Sequence, residues 1–198
     1  MRILAGLAKG RKLKGFSRKD VRVTSGKVKG AIFDVIGPYL EEQQFLDLFA
    51  GSGSVGIEAL SRGAESCVFI EKNAECVKII YENLRKAGLS SAKVIKMDVS
   101  RGLKITKKKQ KSFDYIFMDP PYFRHLYVPV LEEIAESNIL KKKGTVIVEH
   151  HKSILLPEVI NGLHGNQIKK YGDTCITFYN LQREVYDFDK NSYISRKF

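Results

Sequence analysis

A short apolar run, Phe45-Leu46-Asp47-Leu48, passes without a break into Phe49-Ala50-Gly51-Ser52-Gly53-Ser54-Val55-Gly56 and then into residues of helical character up to Arg62. Few folds accommodate that order. The apolar run reads as a buried strand, the glycines as a tight turn, and the following segment as a helix stopped by Gly63. A strand, glycine turn and helix in succession belong to an open α/β sheet, in which ligands bind beyond the carboxyl ends of the strands, near the reversal of strand order.

The same alternation continues along the chain. Cys67-Val68-Phe69-Ile70 predicts a second strand, followed by a helix with Asn73 as its N-cap and an end near Gly88. Lys93 to Met97, Tyr115 to Met118 and Thr145 to Glu149 predict three more strands. Between the third and fourth, the stretch holding Lys104, Lys107, Lys108, Lys109 and Lys111 is expected as a loop. Tyr127 to Glu136 and the region from Ile154 to Leu163 are expected as helices. Gln167 to Tyr171 and Thr174 to Leu181, around Gly172-Asp173, predict a closing hairpin. Ahead of the first strand, Val28, Ala31, Ile32, Val35, Ile36, Tyr39 and Leu40 recur at helical spacing. Continuous apolar strands alternating with helices imply a mostly parallel sheet covered on both faces. The expectation is a Rossmann-like α/β fold with a seven-stranded sheet, an antiparallel edge hairpin and a small basic N-terminal hairpin or helix extension. Three segments follow: a basic extension over 1–30, the main domain over 31–183, and a polar tail over 184–198.

Charge narrows the class of partner. The chain carries a formal charge of +12, and residues 1–30 hold ten basic side chains against the single acid Asp20. A balance this basic favours polyanions. Ile3, Leu4, Leu13 and Phe16 alternate with the charges and Gly6, Gly10 and Gly15 punctuate them, which speaks against a merely solvated tail. Arg2, Lys9, Arg11, Lys12, Arg22, Thr24, Lys27 and Lys29 are therefore candidates for nucleic-acid contact, and Lys107 to Lys111 are expected to join the arm on the phosphates. Cys67, Cys76 and Cys175 have neither metal-ligand spacing nor the even number of a disulfide framework. No stretch approaches membrane-spanning length and no signal-peptide core is present, so a soluble, cytoplasmic protein without a metal is expected.

The glycine loop defines a candidate ligand site. Gly51, Gly53 and Gly56 match G-x-G-x-x-G, and Glu71 stands 20 residues beyond Gly51, where an acid meets ribose hydroxyls. By spacing this identifies a nucleoside-bearing ligand without choosing between NAD and S-adenosylmethionine. Two acids favour the second. Asp47, within the strand end, suits a ligand bearing an ammonium and a sulfonium and sits poorly beside pyrophosphate. Asp98, after the third strand, suits an adenine amino group. Candidate cofactor contacts are thus Asp47, Ala50, Gly51, Ser52, Gly53, Glu71, Lys72, Asp98, Val99 and Asp119.

The fourth strand ends in Asp119-Pro120-Pro121-Tyr122. Two prolines remove two backbone donors and stiffen the chain, fixing the Asp119 carboxylate and the Pro120 carbonyl. The amino group of guanine or adenine is a poor nucleophile, because its lone pair is delocalised into the ring. Two acceptors on its N–H groups favour a more tetrahedral nitrogen, and Tyr122 offers a face on which the base can stack. Asp119, Pro120, Pro121 and Tyr122 are the candidate catalytic residues. The same chemistry serves guanine N2 and adenine N6, so an RNA and a DNA methyltransferase are both compatible with it. An NAD-dependent oxidoreductase gives this motif and the basic arm no purpose.

With these motifs in place the sequence resembles the class I methyltransferases, and within them the bacterial 16S ribosomal RNA guanine-N2 methyltransferases. The resemblance rests on Phe45 to Ala64, on Asp119 to Tyr122, on Arg2-Ile3 with Gly6 and Gly10-Arg11-Lys12-Leu13, and on Tyr171 to Thr174 with Phe178-Tyr179. It implies S-adenosylmethionine as cofactor and methylation of the guanine usually numbered 966 on the small ribosomal subunit particle; a monomer is expected. Before the first helix the family shows Arg-Pro-Thr, an acid, then Arg-Val-Arg-Glu. Here Arg22, Thr24 and Val28 match, Lys27 and Lys29 keep the charge, and Val23, Gly26 and Gly30 depart.

Overall fold

The computed structural model describes residues 1–15, 24–121 and 126–181. The described elements are α1 (Gly26–Ile36), β1 (Gln44–Leu48), α2 (Ser54–Ser61), β2 (Ser66–Glu71), α3 (Ala74–Ala87), β3 (Ala92–Lys96), α4 (Val99–Lys108), β4 (Phe113–Met118), α5 (Tyr127–Ser137), β5 (Leu140–His151), β6 (Val159–Ile160), β7 (Leu163–Tyr171) and β8 (Thr174–Asn180). The strands form one sheet in the order β3-β2-β1-β4-β5-β8-β7-β6. β3 through β5 pair in parallel, and β8, β7 and β6 are added antiparallel.

Alternation along the strands divides the interior in two. Phe45, Cys67, Phe69 and Phe117 pack on α1, α2 and α3, whose inward residues include Ile32, Phe33, Ile57 and Ile80. Leu46, Leu48, Val68, Ile116 and Met118 face the other way, onto Leu103 of α4 and Leu131 and Ile134 of α5. Gly56 shows how closely α2 approaches the sheet. A Cβ there would come within 2.4 Å of the Phe69 ring and 2.6 Å of the Cys67 sulfur. The helices end where local chemistry ends them. Ser25 and Asn73 cap α1 and α3 by accepting backbone N–H bonds, and Gly88 closes α3 in the left-handed conformation.

Three expectations are corrected. The sheet has eight strands rather than seven, because the region from Ile154 to Leu163 is not helical. It contains the two-residue β6, which pairs with the start of β7. The lysine-rich stretch is not a loop either. Residues 99–108 form α4, since Val99, Gly102, Leu103 and Thr106 recur at helical spacing and are buried while the lysines face outward. Finally, the division drawn at 30/31 runs through α1. Ile3, Ala8 and Leu13 belong to the main core. The tail over 184–198 lies outside the described residues.

The N-terminal arm is hairpin-like, with one antiparallel bridge between Arg2 and Lys12. Its anchor is Glu58 of α2, which is fully buried. The two carboxylate oxygens accept from the amides of Leu4 at 2.8 Å and Ala5 at 2.9 Å, and pair with Lys29 at 2.9 Å and Arg62 at 3.0 Å. Gly6 follows at φ 80°, and a Cβ on it would collide with the Ser61 carbonyl. Lys29 is only 2% exposed and donates to the Arg2 carbonyl as well, so its ammonium is not available to a phosphate, contrary to the sequence expectation. Burial lowers its pKa against the opposing pull of Glu58.

This hub predicts an asymmetry between its two ends. Glu58→Ala strands two buried cations, Lys29 and Arg62, and two amides, and unfolding in urea should show a loss of about 3–5 kcal/mol. Lys29→Met leaves Glu58 paired with Arg62 and both amides, and its loss in the same measurement should be clearly smaller.

Candidate active site

The site grows out of the pairing of β1 with β4. Asp47 stands opposite Phe117 and Leu48 opposite Met118, in parallel register. Adjacent strands lie about 4.8 Å apart, so the segments leaving their carboxyl ends emerge side by side. Strand order reverses at this point, with β2 on the other flank of β1. Beyond it lies a cleft of about 470 Å³.

Most of the residues singled out from the sequence meet there. Asp47, Ala50, Gly51, Ser52, Glu71, Lys72, Asp98, Val99, Asp119, Pro120 and Pro121 all line this cleft, and Thr24 joins them from the far side. Gly53 does not. It begins α2 with φ 74°, and the face a side chain would occupy abuts Ile80 and Phe69, so the absence of a side chain shapes the turn. Tyr122, Arg22 and His125 lie outside the described residues.

The acids differ in what they can offer. Glu71 Oε2 accepts from the Gly51 amide at 2.8 Å and Oε1 from the Asn73 amide at 2.7 Å, which fixes the glycine loop against β2. Asp47 is 1% exposed, and one of its oxygens accepts from the Gly56 amide at 2.9 Å. Burial pushes its pKa up to about 8, with the Gly56 bond opposing and the Glu71 charge adding to the rise. A cationic ligand group beside it would favour the ionised carboxylate and draw that pKa back down. Asp98 is the N-cap of α4, accepting from the Arg101 amide at 3.0 Å, and pairs with the Arg101 side chain at 3.4 Å. Its carboxylate is therefore partly committed to the helix.

Sequence reasoning missed several cleft residues. Phe49 lines the wall with φ 56°, a left-handed backbone that is uncommon for an aromatic residue and concentrates strain at the glycine loop. Leu126, Tyr127, Pro129 and Val130 of the α5 region form the opposite wall. Glu133 is also on that wall, and its buried Oε1 has no hydrogen-bond partner among the described residues. Only the helical spacing of Leu126, Pro129, Val130 and Glu133 hints at this face, and spacing alone does not separate cleft from core.

The arm reaches the same place. Asn83 of α3 is fully buried and donates both to the Lys14 carbonyl at 3.0 Å and to the Ser52 carbonyl at 3.0 Å, while accepting from the Lys14 amide at 2.7 Å. Arg2, Lys9, Arg11 and Lys12 are exposed on the arm and Lys27 on α1, where Lys27 stands over the Tyr171 ring. Thr24 is not exposed in this way: its hydroxyl donates to buried Glu149 at 3.0 Å. His150 is held by Thr177 at 2.8 Å. Among the described residues no cluster of three or more His, Cys, Asp or Glu is arranged to hold a metal, and no helix is long and apolar enough to cross a membrane.

The state of Asp47 gives a signed expectation. A carboxyl whose folded pKa exceeds its unfolded value keeps its proton longer in the folded state, so it contributes stability at low pH that is lost as pH rises toward 8. The melting temperature of the wild type should fall relative to that of Asp47→Asn between about pH 5 and about pH 9. A difference that stays flat across this range would contradict the assignment.

Comparison with known proteins agrees with this geometry. The family described as Conserved hypothetical protein 95 matches residues 1–180. YlbH of Bacillus subtilis, named a putative rRNA methyltransferase, is 38% identical over 180 residues, 90% of this chain and 98% of that one. Ribosomal RNA small subunit methyltransferase D of Haemophilus influenzae is 36% identical over 162 residues, 80% of this chain and 83% of its own. Among solved structures, a hypothetical protein of Thermus thermophilus superimposes with a TM-score of 0.78 at 32% identity, covering 91% of this chain and 99% of that one. The chain belongs to the Conserved hypothetical protein 95 family, that of the D-type ribosomal RNA small subunit methyltransferases.

Proposed function

We propose that this protein transfers a methyl group from S-adenosylmethionine to the exocyclic N2 amine of a guanine in 16S ribosomal RNA, by family resemblance guanine 966, on the small-subunit particle. The observation that carries the reading is the shared cleft: the glycine loop after β1 and the Asp119 turn after β4 line one cavity. A donor held by the first and an amine held by the second would share that cavity, with orientation supplying much of the acceleration. The relatives named for ribosomal RNA methylation, at 36% and 29% identity, support the substrate class.

S-adenosylmethionine, when bound, supplies a methyl group on a positively charged sulfur, open to attack by a lone pair. The chain's own residues do the rest. Glu71, at the end of β2, holds the glycine loop and accepts from ribose hydroxyls. Asp47 complements the positive end of the ligand. Asp98, Val99 and Glu133 line the part of the cleft that would hold the adenine, and the Glu133 oxygen without a partner among the described residues would accept from its amino group. Asp119 and the Pro120 carbonyl accept the two N–H groups of the target amine, which localises its lone pair. Once the nitrogen is alkylated its proton leaves readily, so Asp119 need not be a strong base. The exposed cations of the arm, set beside the loop through Asn83, hold the phosphates around the target. The target base must be unpaired or flipped to enter the cleft.

Asp119→Ala should lower methyl transfer by at least about 100-fold and leave cofactor binding by calorimetry within a few-fold of wild type. Near-normal turnover of that variant would remove the catalytic role. Mapping methylated nucleotides in ribosomal RNA from cells with and without this protein tests the substrate itself. A methyl group that disappears from adenine in DNA, and not from 16S guanine, would replace the proposal.

A further inference from the structure

The lysines of α4 are not absorbed by the site described above. The helix starts at the cleft, where Asp98, Val99 and Ser100 form part of the wall, and runs ten residues away from it. At about 1.5 Å per residue that is about 15 Å. Its buried face is Val99, Gly102, Leu103 and Thr106. The outward face carries Arg101, Lys104, Lys107 and Lys108, all exposed, and Lys109 and Lys111 continue the line past its end. No acid lies on the helix, and its cap Asp98 pairs with Arg101, the cation nearest the cleft.

A charged face that merely keeps a helix soluble mixes its signs, because pairs three or four residues apart then attract. Here Lys104 meets Lys107 and Lys108 at those spacings, and each like pair destabilises the helix slightly. The crowding continues at the far end. Lys93 of β3 lies against Lys109 and Lys111, and its pKa is lowered, chiefly through its contact with Lys109. Lys107 turns aside to donate to the Glu136 carbonyl. Lys104, Lys108, Lys109 and Lys111 have no ion pair among the described residues.

We infer that the outer face of α4 is a second phosphate-binding track, which grips the backbone of the substrate RNA as it leaves the cleft. A line of cations that begins at the cleft lip and continues for about 15 Å matches several consecutive phosphates of one strand. The track lies on the α4–α5 side of the sheet, whereas the basic arm packs on α2 and α3, on the other side. The substrate is thereby held on both sides of the target base, and the phosphates reached through α4 are ones that a minimal target stem-loop lacks. This rests on the ribosomal RNA reading proposed above.

The test replaces Lys104, Lys108, Lys109 and Lys111 by Gln in the full chain and measures binding without cofactor to two 16S fragments. One is a stem-loop containing only the target nucleotide, the other a longer fragment extending from it on both sides. For the long fragment, affinity at about 0.15 M salt should fall at least about tenfold, and the slope of log affinity against log salt should shrink by about 3. Affinity for the short stem-loop and for S-adenosylmethionine should be unchanged. Equal losses on both fragments, or a matching loss when Lys78, Lys142, Lys169 and Lys170 are replaced instead, would reduce the effect to net charge and overturn the track. A loss on phosphatidylserine vesicles without one on RNA would overturn it in favour of a lipid surface. Failure of the wider reading looks different: the wild type would then bind neither fragment and would leave the 16S guanine of small-subunit particles unmethylated.

Discussion

Two strands about seventy positions apart, β1 and β4, run side by side in register, and the chemistry depends on that pairing. Parallel neighbours present the same end to the same region of solvent, so whatever follows each strand converges without further instruction. One strand delivers a glycine loop that lets a ligand approach the backbone, the other a turn stiffened by two prolines. Neither segment is a reactive site alone. The sheet brings the two segments to one cleft, and the covering helices keep the strand ends dry enough for buried carboxyls to matter.

A second constraint sits behind the first. Four partners from the arm, α1 and α2 converge on the Glu58 carboxylate, which has no access to water. Burying that charge is unfavourable unless every lone pair is matched, and the match is available only when the arm lies folded across α2. The basic N-terminus therefore has a defined position beside the glycine loop.

Much of this is legible in the residues. Strand, glycine turn, helix and distal acid are local patterns, and the parallel alternation follows from continuous apolar runs with helical segments between them. The errors have particular causes. Lys29 falls among the arm's phosphate-binding cations in the sequence because a charge pattern cannot show that an acid 29 residues later closes over it. The lysine-rich stretch hides α4 because basic residues outnumber the apolar ones that set its period. Glu133 is invisible for a different reason: what distinguishes it is an unmatched oxygen inside a cavity, and cavities exist only in three dimensions.

The position of Met1 has a practical consequence. Its sulfur lies 3.7 Å from the Ser52 hydroxyl, at the lip of the cleft. Any affinity tag or cleavage scar joined ahead of it begins within reach of the glycine loop. Preparations with and without such a leader should be compared in cofactor binding before they are treated as interchangeable reagents.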